Sequence, residues 1–494
     1  MTHLSLCFEV HQPLRLRRDF FWSGDPMRGA DSLDQFYLDE PENRRIFERV
    51  ATKCYRPANQ VVLESIRRFV EADRPFKVAY SLSGIFLEQC QRTAPDVVKS
   101  FQDLVETGFV ELLEQTYYHS LCSLYPEGDE FREQVRMHRE LIWDLFAVRP
   151  TVFENTELLY DDRIASLVEG MGYRGIFAEG VLANPNYVYQ PLGRDISLLL
   201  RNFQLTDDVG FRFSSRDWKE HPLTADKYAS WLGGTPGQVI NLFMDYETFG
   251  EHQWEDTGIF EFLRHLPAEV MKKPNLRFAL PAELAALPRS GVLAVSHTRS
   301  WADLERDTSC WLGNELQQAC YLYHWRLQRP AAEAGAQMQR IWRTLGLSDH
   351  LYYMFTRGGG PGMVHSYFSP YGNPYDASIT YFSVLSDLHH RLKVELPMAD
   401  HPFRLAGGME VWSAAGMAQA LAKIDLDALE EYMEKQDLAR WAGTSLHQPG
   451  IEAELNGLSI RKGERLRQSV IRIFRGFGKP AKAARKREKR VRLK

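Results

Sequence analysis

The chain has 494 residues, 44% hydrophobic and 25% charged, which excludes a single small domain and fits a large soluble globular protein with a sizeable core. No apolar stretch approaches the roughly 18 residues that cross a bilayer, and the first residues lack the basic and apolar segments of a signal peptide. The net charge of −5 is unevenly placed: residues 461–494 hold fifteen Lys/Arg against two Glu, a local +13, which leaves an acidic body at −18. Cys7, Cys54, Cys90, Cys122, Cys310 and Cys320 include no C-x-x-C pair and point to neither a zinc site nor a disulfide framework. Reduced thiols and a cytoplasmic location are the expectation.

In chain order, apolar runs at residues 4–10, 76–82, 109–113, 150–153, 174–178, 197–203 and 238–244 predict strands. Helical spacing fills the gaps, for example at 59–72, 131–148 and 164–171. Strands alternating with helices predict an α/β fold with a parallel sheet, whose ligands bind at the C-terminal strand ends. Polar and acidic residues fall at those ends: His11-Gln12-Pro13, Glu154 to Glu157, Glu179-Gly180 and Asp245-Tyr246-Glu247. From residue 301 the strand signals fade. Helical patterns at 314–327, 331–344, 379–394, 414–421 and 427–436 predict a mainly α-helical domain over 301–460, behind a catalytic domain over 1–300. The Gly358-Gly359-Gly360-Pro361-Gly362 run reads as a loop. In 461–494, Leu466, Val470, Ile473, Phe474 and Phe477 recur at helical spacing among arginines, a basic amphipathic helix and tail. Such a segment suits docking on the acidic body, an anionic membrane surface, an acidic protein partner or nonspecific nucleic-acid contact.

Cleavage of a glycosidic bond needs two carboxyl groups flanking that bond. Three acidic clusters near strand ends compete for the role: Glu111 with Glu114, Glu154 with Glu157, and Asp245 with Glu247. Each also reads as solvated surface or a cap. Local wording favours the last two, because acids among bulky apolar groups gain the raised pKa that a general acid requires. Aromatics at 12% suit a sugar cleft and an ordinary large core equally well.

The same segments, in order, resemble the five signatures of glycoside hydrolase family 57. They are His11-Gln12-Pro13, Gly108-Phe109-Val110-Glu111, Phe153-Glu154-Asn155-Thr156-Glu157, Asp245-Tyr246-Glu247-Thr248-Phe249-Gly250 and the stretch from Asp303 to Asn314. The resemblance implies an incomplete (β/α)7 TIM-like barrel followed by a helical domain that contributes to the cleft. It further implies retaining action on an α-1,4-glucan or maltooligosaccharide substrate, with no cofactor and no metal. Glu157 takes the place of the family nucleophile and Asp245 that of the acid/base. His11 and Glu111 correspond to substrate-site residues near the cleaved bond, and Asp307 and Trp311 to site residues of the fifth signature. The chain departs from the family pattern in having Glu154 where a Trp often precedes the nucleophile, and Leu158 where an Arg often follows it. Asp307 and Trp311 are also one residue further apart than in some members. The wording is closest to the α-amylase branch.

Other readings accompany these. His119 is a donor to a sugar hydroxyl or a packed residue, and Glu247 tunes the acid or holds a loop. His365, Tyr367, Tyr371 and Tyr375 line an outer cleft or pack. Transglycosylation, by 4-α-glucanotransfer or branching, shares all the motifs with hydrolysis. A catalytically weak glucan-binding protein and a metal-dependent polysaccharide deacetylase are the remaining alternatives. The second lacks a close histidine pair such as H-x-x-x-H. No motif points to sequence-specific nucleic-acid recognition, and the oligomeric state is open.

Overall fold

The computed structural model describes residues 1–20, 33–356, 369–395, 398–459 and 462–477. These fold into two compact units, one of residues 1–321 and 346–381, the other of 322–345 and 382 onward. His365, Tyr367 and the glycine run at 358–362 lie outside the described residues, as does the tail beyond residue 477.

The first unit is built on parallel strands. β1 (Thr2–Val10) pairs β2 (Val78–Leu82), and β2 pairs β3 (Val110–Leu113). β3 reaches β4 (Val152–Phe153) through two backbone hydrogen bonds, Glu114 N to Val152 O and Glu154 N to Glu114 O. β4 pairs β5 (Gly175–Glu179). A short strand β6 (Val188–Pro191) lies antiparallel on β7 (Ser197–Arg201), and β7 also pairs β5. β7 meets β8 (Val239–Asp245) at the single register pair Arg201–Asn241, and β8 pairs β1 along seven positions. Setting aside β6, the ring holds seven parallel strands, with thin seams at β3/β4 and β7/β8. This is the predicted incomplete (β/α)7 barrel. β9 (Leu276–Phe278) adds to the start of β1, and β10 (Val292–Leu293) to β6.

Side-chain alternation sorts the barrel into two cores. Leu4, Leu6, Phe8 and Val10 of β1 face outward and pack with the surrounding helices, among them Arg56–Arg68, Pro95–Glu106 and Ile259–Met271. Cys7, Ala79, Leu113, Val152, Phe177, Leu199, Val239 and Phe243 face inward and fill the barrel. Strands buried on both faces explain the near-continuous apolar runs in the sequence. Where strands end, polar residues start the next helix. Ser83 Oγ accepts from Phe86 N to cap Gly84–Thr93, and Asp161 and Asn202 cap Asp162–Gly170 and Phe203–Gly210 in the same way.

The second unit is mainly helical, with one antiparallel hairpin of β11 (Met398–Arg404) and β12 (Glu410–Ser413). Its core joins Met417, Leu421, Leu429, Leu438 and Trp441 to Leu466, Val470, Ile473 and Phe474. Those last four are the apolar face of the predicted basic helix, which runs Gly463–Phe477. These four side chains are therefore covered within their own unit, and Arg465, Arg472 and Arg475 remain exposed. No helix among the described residues is long and apolar enough to cross a membrane.

Candidate active site

The period of two that fills the barrel also builds the site. Along the inner face of β1, Cys7 is followed by Glu9 and then, just past the strand, by His11. Glu9 lies in register with Asp245 on β8 and with Ser81 on β2. On β1 and β8 the inner face thus turns from apolar to ionisable in one step, from Cys7 to Glu9 and from Phe243 to Asp245. Above it opens a cleft of about 1380 Å³, whose walls include Glu9, His11, His119, Glu157, Asp245 and Trp301. Its position at the C-terminal strand ends is where barrel enzymes carry their chemistry.

Glu157 reaches the cleft through a tight left-handed turn. Its φ is 60° and that of Leu158 is 51°, values that cost a non-glycine residue of order 1–3 kcal/mol each. The turn sends the Leu158 side chain down into the barrel core, where it is fully buried, and leaves Glu157 half-buried in the cleft. Asn155 Nδ2 holds the turn by donating to Leu159 O at 2.7 Å and to Ser123 Oγ at 3.0 Å. Thr156 and Thr116 hydroxyls meet at 2.6 Å. Of the eight non-glycine residues with positive φ among those described, His119, Glu157, Asp303 and Arg306 all line this cleft. Strain concentrated in this way is a mark of a working site.

The Glu157 carboxylate is gripped on both oxygens. Trp301 Nε1 donates to Oε2 at 2.7 Å, and His119 Nε2 lies 3.5 Å from Oε1. Trp301 is itself fixed, with Arg201 over its ring at 5.5 Å and Phe243 edge-on at 5.7 Å. Burial, reinforced by the charge of Glu157 and opposed by Arg201, pushes the Asp245 carboxyl up to about 7. Asp245 therefore retains its proton near neutrality. Burial also raises Glu247, with Asp245 adding to the effect, to about 8; the Tyr55 hydroxyl donates to its Oε1. Glu154 rises to about 7, again chiefly through burial, while Ser81 Oγ donates to its Oε2 at 2.9 Å.

Two stacked imidazoles stand beside these acids, His11 and His119, with centroids 4.0 Å apart and planes inclined by 19°. Burial and the neighbouring His119 bring His11 down to about 4. It is neutral at pH 7, accepting from Ser83 Oγ at 2.7 Å and donating to Asp349 Oδ2 at 3.1 Å. For His119, burial alone would lower the pKa, but Glu157, Asp349 and Glu154 outweigh it and raise it. In the cleft wall, Arg201 donates to Glu179, Asp207 and Phe243 O, and Arg306 bridges the same two acids.

Of the residues singled out from sequence, Glu157, Asp245, His11 and His119 come together on the cleft. Glu111 does not line it. It lies deeper, in register with Ala79, and its Oε2 accepts from Ala282 N at the start of the helix Pro281–Ala285. Asp307 accepts from Ser309 N at 2.8 Å in its own loop. Trp311 is fully buried, edge-on to Tyr352 at 6.0 Å. Among the cleft residues not found from sequence are Glu9, Trp301 and Asp349. Glu9 could have been read from its period-two relation to His11. Asp349 sits on a five-residue helix, Ser348–Tyr352, far along the chain, and carries no local signal.

A closed parallel barrel with carboxyl groups gathered at its strand ends is compatible with a glycosyl hydrolase, and residues 5–295 match the sequence model of Glycosyl hydrolase family 57. The chain belongs to that family. It is 43% identical over 404 residues to a Methanocaldococcus jannaschii protein provisionally named an alpha-amylase, covering 78% of this chain and 84% of the relative. Its fold resembles a family 57 branching enzyme of Thermococcus kodakaraensis, solved with glucose, at a TM-score of 0.55 and 14% identity over 80% of this chain and 90% of the other. It also resembles an alpha-amylase of Thermotoga maritima at a TM-score of 0.50 and 14% identity, over 79% and 93% of the two chains. At 14% identity these two likenesses concern the fold.

Proposed function

We propose that this chain is a retaining enzyme of α-1,4-glucans, of α-amylase type, with Glu157 as nucleophile and Asp245 as general acid/base. The observation that carries the reading is the unequal treatment of two neighbouring carboxyl groups. Asp245 is held protonated to about pH 7, partly by the charge of Glu157, whereas Glu157 is met by an indole N–H and an imidazole. One carboxyl that keeps its proton beside another that receives hydrogen-bond donors suits a division of the acid and nucleophile roles. Glu157 attacks the anomeric carbon as Asp245 protonates the leaving glycosidic oxygen. Asp245, now ionised, then takes a proton from the acceptor that releases the sugar from Glu157, and two inversions give net retention. Substrate class rests on the signatures and on the names of the relatives.

The test is Glu157→Gly assayed on maltooligosaccharides with and without azide. The expected result is loss of cleavage, with azide restoring turnover and yielding a β-glycosyl azide. Undiminished cleavage by the variant overturns the assignment. With the wild-type chain and maltoheptaose, shorter products alone mark hydrolysis. Products longer than the substrate mark 4-α-glucanotransfer or branching.

A further inference from the structure

Glu9 is a costly residue to place where it is. It is 3% exposed, one step above Cys7 on the barrel's inner face, and its Oε1 has no hydrogen-bond partner of good geometry. Burial pushes its carboxyl well above the usual range, and Glu154, Glu157, Asp245 and Glu247 push it further. The layer beneath is filled by Cys7, Ala79 and Phe243, so an apolar side chain would suit packing alone. The same Oε1 lies 3.2 Å from Nδ1 of His119, while His119 Nε2 faces Glu157 Oε1 at 3.5 Å. Carboxyl, imidazole and carboxylate thus stand in line, with the imidazole 4% exposed and held at a φ of 46°.

We propose that Glu9 is a positioning residue that acts on the nucleophile through His119, fixing a proton on Nδ1 so that Nε2–H is aimed at Glu157. The proposal rests on the reading of Glu157 as nucleophile. It follows the general logic of a nucleophile whose neighbour is oriented by a third group. The groups facing His119 are Glu9 from β1, His11 just beyond it, Gln115 after β3, Glu154 and Glu157 after β4, and Asp349 from its short helix. Gln115 Oε1, 3.4 Å from Nδ1, has the hydrogen-bond geometry toward that nitrogen, whereas Glu9 Oε1 is nearer but off that direction, so the two oxygens compete for one proton. Among these groups Glu9 is the one that touches Nδ1 most closely. Stacked His11 is neutral and adds no repelling charge.

The experiment compares wild type, Glu9→Gln, Glu9→Met, His119→Asn and the double variant Glu9→Met/His119→Asn, with kcat and KM on maltooligosaccharides measured across pH. Glu9→Met is expected to lower kcat about a hundredfold with KM within about threefold, and to move the acid limb of kcat/KM to higher pH. Glu9→Gln, which still offers an oxygen to Nδ1–H, is expected to lose about tenfold or less. The double variant is expected to be no slower than His119→Asn alone, because the two act as one unit. Losses that multiply, or a folded Glu9→Met with wild-type kcat and pH profile, overturn the proposal. Nitrogen NMR of the histidines in the wild-type chain guards against variants that do not fold: a proton on His119 Nδ1 at pH 7 supports it, and a bare Nδ1 overturns it. Failure of azide rescue in Glu157→Gly would remove the nucleophile reading itself, and is separate from any outcome at Glu9.

Discussion

Two buried charge clusters meet at this cleft, and they are built on opposite terms. Beneath Trp301, Arg201 and Arg306 face Glu179 and Asp207, two cations against two acids, each held by hydrogen bonds. Beside it, Glu9, Glu154, Asp245 and Glu247 crowd together, and burial raises all four carboxyls. The difference is consistent with the proposed placement of the reaction beside the second cluster. The balanced cluster is a brace, and the unbalanced one is a store of protons at neutral pH.

The strongest way to sharpen that contrast is to remove a proton from the unbalanced side. Asp245→Asn should cut activity on maltooligosaccharides by on the order of 10³-fold, with a smaller loss on an aryl glycoside whose leaving group needs no acid. In wild type, kcat/KM should decline as pH rises through about 7, where Asp245 loses its proton. On the balanced side, Arg201→Met leaves Glu179 and Asp207 with Arg306 as their remaining cation, and should cost about 3 kcal/mol of unfolding free energy in denaturant titration. Equal stability of that variant and wild type would dissolve the distinction between the clusters.

Glu247 gives a reversed response to pH. Its folded pKa of about 8 lies above the ordinary carboxyl value, so the folded chain holds a proton that the unfolded chain has lost. The associated stability is complete below about pH 4.5 and is lost as pH rises through about 8. Calorimetry from pH 5 to 9 should show Tm falling, and Glu247→Gln should flatten the fall by a few degrees. A smaller effect is expected at Trp301→Phe, which keeps the ring but drops the hydrogen bond to Glu157: about tenfold in kcat. The smallest lies outside both clusters. Gln436 is exposed with φ 57°, and Gln436→Gly should raise stability by about 0.5–1 kcal/mol with no change in kinetics.

The barrel was legible because its strands are buried on both faces and therefore appear as near-continuous apolar runs, all seven of which form strands. The acids at their ends were legible because β4 and β8 stop beside them. Depth was not legible. Glu111 sits on an inner face as a site residue would, but strand register places it level with Ala79, below the cleft. Trp311 and Trp301 are ten residues apart with similar surroundings in sequence, and only packing assigns one to the core and the other to Glu157. The contribution of residues 346–381 to the first unit was hidden for the same reason. Their spacing is helical, and nothing local announces that Asp349 will meet His11.

The left-handed turn at residues 157 and 158 makes neighbours of an anchor and a reactive group. Because Leu158 is seated among the barrel's innermost side chains, any change that loosens that seat rotates the carboxylate next to it. Trimming the floor of the barrel would then read out as slowed chemistry while Trp301 and His119 remain unaltered. A smaller side chain in place of the fully buried Leu158 is therefore expected to act on the chemistry from beneath the cleft.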